Sequence, residues 1–185
     1  MDIYNLVQEF IKLISNKQIE IYNEASIQYE LAIFLRQKLP DHKIQLERNI
    51  SFFELDKSKF EKKEMDIVIF DKQKKEKLAI ELKFPTNGQY PEQMFSFIKD
   101  IKFLEELKEN GFKTNLFVAF ANDKNFWNSK GEKGTIYYLF RNIKKLYGHI
   151  QKPTGRKDKT ISLKDSYEIN WKNIQEDLKY FIVKV

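Results

Sequence analysis

Two apolar runs, "MDIVIF" at 65–70 and "KLAIELKF" at 77–84, stand on either side of the charged stretch "DKQKKE". Both are near-continuous rather than cleanly alternating, which is the pattern of strands covered on both faces. The spacing between them suits a hairpin. Three charges nevertheless interrupt the runs: Asp66, Glu81 and Lys83. In a strand, residues two apart share a face. Glu81 and Lys83 therefore point one way, while Ile80, Leu82 and Phe84 point the other. Asp66 opens the first run, where strand pairing sets its carboxylate beside Glu81.

Such a pattern has a chemical reading. Two carboxylates that close repel each other, and a hard divalent cation is the usual remedy, Mg²⁺ taking one or two carboxylates plus water and phosphate oxygens. The ion lowers the pKa of a bound water and neutralises charge on a phosphoryl group. A lysine beside it is expected to hold the attacking water and help deprotonate it, because an ammonium pKa falls near other positive charge and on partial burial. The assembly suits phosphodiester hydrolysis. An acid-x-Lys triplet alone is weak: six occur, starting at Asp41, Glu61, Glu81, Asp100, Glu106 and Asp177. Only the triplet at Glu81 lies in a strand-like apolar run with a second acid heading the run before it. The competing reading is a solvated cross-strand ion pair, worth under ~1 kcal/mol.

The surrounding sequence predicts helices over 2–15 and 23–39, the second capped by Asn23 and stopped by Pro40. A strand is expected over 43–53. A long amphipathic helix over 90–110 opens with Pro91 and closes at Gly111, and a buried strand over 113–121 follows. Further on, 135–140 and 179–185 read as strands and 171–178 as a short helix. The order predicts an α/β or α+β fold, a central mixed β-sheet flanked by helices, in a single domain over 1–185.

Composition narrows the function. The chain of 185 residues has no cysteine and only His42 and His149, so disulfides, thiolate sites and a His/Cys zinc centre are not expected. No serine has a nucleophile-elbow context, and six glycines form no phosphate-cradling loop. The N-terminus lacks a signal-peptide layout and no apolar stretch is long enough to span a membrane, so the expected setting is cytoplasmic. The net charge of +6 comes almost wholly from lysine. It concentrates in "RNIKKLYGHIQKPTGRKDK" (141–159), with seven basic residues and one acidic, read as a loop that either tracks a phosphate backbone or is simply solvated. Phe126 and Trp127 suit base stacking or core packing.

Together, "MDIVIF…LAIELKF" resembles the PD-(D/E)XK nuclease superfamily, with its restriction-endonuclease-like core. Residues 24–121 follow the order of that core: helix, hairpin carrying Asp and Glu-x-Lys, crossover helix, strand. The resemblance implies Asp66 as the motif acid, Glu81 and Lys83 as the Glu-x-Lys, and Mg²⁺ (Mn²⁺ as substitute) held by Asp66, Glu81 and Glu30. Met65 stands where the usual proline would be. Glu30 corresponds to the acid many members carry on the preceding helix. It lies about 40–60° from Ile27 and Phe34 on the buried stripe, with Glu24 as the fallback on the other flank. "QMFSF" (93–97) resembles the Gln-x-x-x-Tyr element of recombination-type members, which makes Gln93 a candidate to hold the lysine or a phosphate. Asp100 shares its side of the helix and receives no role. The loop "FPTNGQYPEQ" is a candidate substrate-contacting rim. The implied activity is a metal-dependent nuclease acting on DNA in restriction, defence or repair, as a homodimer or with a partner subunit. A non-catalytic nucleic-acid- or protein-binding module on the same fold is the alternative, and RNA is the alternative substrate.

Overall fold

In the computed structural model, which describes residues 2–86, 88–155 and 159–185, helix starts follow side-chain caps. The Asp2 carboxylate accepts from the Asn5 N–H and opens α1 (Ile3–Ser15). Asn23 and Ser26 exchange hydrogen bonds in a capping box that opens α2 (Glu24–Lys38). Then come β1 (Lys43–Asn49), β2 (Glu64–Phe70), β3 (Lys77–Lys83), α3 (Tyr90–Glu109) and β4 (Leu116–Ala121). Pro91 sits in the first turn of α3, and Gly111, at φ +86°, supplies the left-handed residue just past its end.

The chain continues through β5 (Lys145–Gln151), β6 (Thr160–Glu168), β7 (Lys172–Asn173) and β8 (Lys179–Lys184). Six strands form a mixed sheet in the order β1-β2-β3-β4-β8-β7. β3 and β4 run parallel, joined by the α3 crossover, and the other neighbours are antiparallel. The protein is therefore α+β, with helices on both faces of the sheet. Ile67, Ile69, Ile80, Leu82 and Val118 pack with Val7, Phe10, Ile27 and Leu31 of α1 and α2. On the opposite face Val68, Ala79, Phe117 and Phe181 pack with Phe97, Ile101 and Leu104 of α3. Two covered faces explain why the β2 and β3 runs are apolar throughout. Among the described residues no helix is long and apolar enough to cross a membrane.

β5 and β6 form a separate two-stranded ribbon on the outer side of α3. Leu146, Ile150, Ile161, Leu163 and Tyr167 face the core. Buried Glu105 of α3 fastens the ribbon: its Oε1 accepts from the N–H groups of Lys164 (2.9 Å) and Asp165 (3.1 Å) and from the Tyr167 hydroxyl (2.9 Å).

Four expectations need correction. The first strand stops at Asn49, because the Asn49 side chain accepts from the N–H and hydroxyl of Ser51 and turns 50–53 into a 3₁₀ helix. Residues 135–140 are not a strand: a helical turn leads into a π-helix over Tyr138–Ile143. Ile136 and Phe140, four apart, are its buried positions, and the aromatic, β-branched composition misled because it reflects packing more than backbone preference. Residues 171–178 hold no helix; Lys172–Asn173 pair with β8 and the chain then turns, the Ile174 N–H bonding the Leu178 carbonyl. The basic stretch 141–159 is not all loop: it holds the end of the π-helix and the whole of β5, followed by a bend at Pro153–Gly155; Arg156, Lys157 and Asp158 of that stretch lie outside the described residues. Phe126 is buried in the core and half-buried Trp127 packs on Trp171.

Candidate active site

The β2–β3 register pairs Ile67 with Ile80, which sets Asp66 opposite Glu81 at the next step. The backbone ladder ends there, and side chains take over its hydrogen bonds. Glu81 Oε1 accepts from the Asp66 N–H (3.3 Å) and Asp66 Oδ2 from the Leu82 N–H (2.7 Å). The Gln28 amide of α2 donates to the Asp66 carbonyl (2.7 Å). The two carboxylates are thus held by backbone at the open end of the hairpin, on the face covered by α3.

Two further groups complete the cluster. Asp100 projects from α3 and is 2 % exposed. Lys62 comes from the segment before β2, which lies against α3 through a Phe60–Phe103 ring contact and a bond from the Glu61 N–H to Glu106 (2.7 Å). The Lys62 ammonium sits where three carboxylates converge: it bonds Glu81 Oε2 and lies 3.1 Å from Asp100 Oδ1 and 3.5 Å from Asp66 Oδ1. Lys83 stands beside it, with Nζ 3.1 Å from Asp100 Oδ2 and 3.2 Å from Glu24 Oε1. Asp100 therefore touches both lysines. Its Oδ2 lies off the line a hydrogen bond needs, so it is paired by charge alone.

Burial and charge pull against each other here. Glu81 is wholly buried; burial, then the charge of Asp66, lift its pKa well above the usual carboxylate range, although Lys62 opposes them. Burial raises Asp66 to about 6 despite Lys62 and Lys83. For Lys83, burial lowers the pKa, but Asp100, Asp66 and Glu24 outweigh it and the net shift is upward; Lys62 behaves alike under Glu81, Asp100 and Asp66. The fall expected for Lys83 from sequence is thus reversed, because the acids around it outnumber the cations. Four carboxyl groups (Glu24, Asp66, Glu81, Asp100) face two ammonium groups, so acids outnumber cations in the cluster.

Of the residues expected from sequence, Asp66, Glu81 and Lys83 come together. Glu30 does not join them: it is half-exposed, and none of the ion pairs and hydrogen bonds around Lys62, Lys83, Asp66, Glu81 and Asp100 reaches it. The phase of α2 is the cause. Glu24 and Gln28, one turn apart, are the α2 residues that reach the hairpin end, and Glu30 lies about 200° round the helix from Gln28. Glu24 takes the place instead, bonding Lys83 and accepting from the Phe84 N–H (3.2 Å). Gln93, half-buried, lies two turns nearer the start of α3 than Asp100, on the same side.

Lys62 and Asp100 were not anticipated. Asp100 had a signal, an acid among the buried positions Phe97, Ile98, Ile101 and Leu104. Lys62, within "FEKKE", had none. Among the described residues no group of three or more His, Asp or Glu side chains is disposed to hold a metal ion. Where Asp66, Glu81 and Asp100 converge, the cation is the lysine. No protein-family model, curated protein or solved structure matches this chain.

Proposed function

We propose that this protein is a metal-dependent nuclease with a restriction-endonuclease-like core, hydrolysing phosphodiester bonds of DNA in a cytoplasmic restriction, defence or repair role. One observation carries the reading: three buried carboxylates converge on a single cation, and one of them, Glu81, stands two residues along β3 from a second lysine, Lys83. A chain gains no stability from sinking like charges into a core, so such a cluster points to a functional demand.

By ligand type the acids suit Mg²⁺ or Mn²⁺, although as placed here they converge on the Lys62 ammonium. Carboxylate oxygens are the hard ligands these ions prefer, and the Lys62 ammonium occupies the focus that a divalent ion would take. Asp66 and Glu81 would hold it, with Asp100 as the third acid. The bound metal supplies a water of lowered pKa and neutralises phosphoryl charge. Lys62, a quarter exposed along its side chain, would have to withdraw its ammonium for the acids to hold the ion. Lys83, whose pKa the neighbouring acids raise, would orient the attacking water and a phosphate oxygen. Glu24 holds Lys83 in that position. Gln93, toward the open end of α3, contacts the phosphate. Target choice is assigned to a second copy or to a partner subunit.

One observation favours the alternative of a non-catalytic binding module: Lys62 already satisfies the carboxylates internally. Plasmid nicking separates the two. Cleavage should require Mg²⁺ or Mn²⁺, stop in EDTA and be lost in Lys83→Ala with DNA binding retained. Metal-independent cleavage would reject the mechanism, and no cleavage of duplex, single-stranded, branched or RNA substrates would leave the module.

A further inference from the structure

We propose that the cleft between α3 and the tip-proximal end of the β5–β6 ribbon binds a backbone phosphate of the DNA strand, with Lys99, Lys152 and Lys159 as its cationic wall. A cavity of about 170 Å³ lies there, lined by these three lysines with Glu92, Phe95 and Ser96. The lysines come from two elements distant in sequence. Lys99 projects from α3, while Lys152 and Lys159 flank the ribbon turn, which is closed by the Lys152 N–H on the Lys159 carbonyl (2.8 Å). The Glu105 anchor fixes the other end of the ribbon on the same helix, so the two lysines are delivered by a braced element rather than a free loop.

Their charges are incompletely met. Lys99 and Lys159 share one oxygen, Glu61 Oε1, the former at 3.9 Å, and Lys152 stands 3.9 Å from Glu92 Oε1. Three ammonium groups face two carboxylates, and two of the three contacts are too long for hydrogen bonds. An anion entering the cleft meets Lys99 and Lys152, both loosely held, Lys159 bonded to Glu61, and the Ser96 side chain. The lysine side chains are 31–44 % exposed, so they can turn to it.

The location ties this cleft to the carboxylate cluster. Lys99 precedes Asp100 on α3, and Glu61 precedes Lys62. A strand whose scissile phosphate lay at Asp66 and Glu81 and which left along α3 would come within reach of these lysines. By contrast, Arg141, also in the basic stretch, is spent on structure: its guanidinium bonds the Asn125 carbonyl and Ser129 and stacks on Tyr137. The assignment of the anion to DNA rests on the nuclease reading.

Binding of a short fluorescein-labelled DNA duplex, followed by anisotropy in EDTA over a range of salt, tests the cleft without catalysis. Replacing Lys99, Lys152 and Lys159 together by Ala should reduce the slope of log K against log salt by about 0.9, a loss of roughly eightfold at 0.1 M salt, and each single Lys→Ala change should give a part of that loss. Lys164→Ala, on the ribbon but paired with Glu109 at the far end of α3, should change neither. Wild type that does not bind, cleft variants that bind as wild type, or a Lys164 variant that loses as much would overturn the site. Wild type that binds through these lysines yet never cleaves with Mg²⁺ would overturn the nuclease reading alone.

Discussion

Replacing Asp66 with Asn separates a functional carboxylate from a structural one. Asp66 titrates near 6 in the fold against an ordinary 3.8. A raised carboxyl pKa means the folded state disfavours the ionised form, so this contribution to stability is fully present below about pH 4 and is lost as pH climbs through about 6. About two pKa units correspond to roughly 3 kcal/mol, with little loss to solvent screening because the side chain is 11 % exposed. Asn is nearly isosteric, and its oxygen can still accept from the Leu82 N–H. In EDTA, Asp66→Asn should therefore match wild type near pH 4 and exceed it by up to about 3 kcal/mol at neutral pH. For a chain of this size that is a Tm gain of about 6–12 °C. The assay is urea unfolding of both proteins at the two pH values. Added Mg²⁺ should stabilise wild type, which then carries bound ligand, and leave the variant unmoved. A variant a kilocalorie or more weaker than wild type at neutral pH would refute the reasoning, because Asp66 would then be one member of a stabilising ion-pair net.

Three other substitutions test neighbouring links. Lys62→Ala leaves buried Glu81 without its closest cation and should cost about 3–5 kcal/mol in EDTA, but Mg²⁺ should restore most of that loss. Thermal melts with and without the ion check this, and no rescue would deny that Lys62 and the metal share one place. Glu24→Ala should lower Mg²⁺-dependent nicking while Glu30→Ala leaves it near wild type; equal effects would remove Glu24 from the site. Glu105→Ala frees two backbone N–H groups and the Tyr167 hydroxyl, and should cost roughly 3 kcal/mol. Hydrogen exchange should then rise across 145–168 more than in the six-stranded sheet.

What could be read from sequence depended on how local the cause was. The β2–β3 hairpin was legible because both covered faces leave an unbroken apolar run, and the three charges stand out against it. The ends of α2 and α3 were legible because Asn23, Pro91 and Gly111 act within one turn of themselves. The ribbon was not: β6 alternates from Thr160 to Lys164, but what holds it is Glu105, some 60 residues earlier. Nor was the phase of α2, since two acids six residues apart flank one apolar stripe and only the tilt of the helix on the sheet decides between Glu24 and Glu30.

Lys62 shows the same limit with a chemical consequence. In "FEKKE" it looks like any solvated lysine. Its place is set by Phe60 and Glu61 docking on Phe103 and Glu106, contacts made across more than 40 positions. Once docked, it meets Glu81 and Asp100, neither of which is near it in the chain. The acids need a cation at all times, because three buried carboxylates without one would drive each other's pKa upward and take up protons. A lysine on a partly exposed segment fills that need when no metal is bound, and unlike a buried lysine it has somewhere to go. On the nuclease reading, Lys62 would be the resting counter-ion of the site. The cost of withdrawing it would then oppose Mg²⁺ binding, so apparent Mg²⁺ affinity should tighten when Lys62 is shortened.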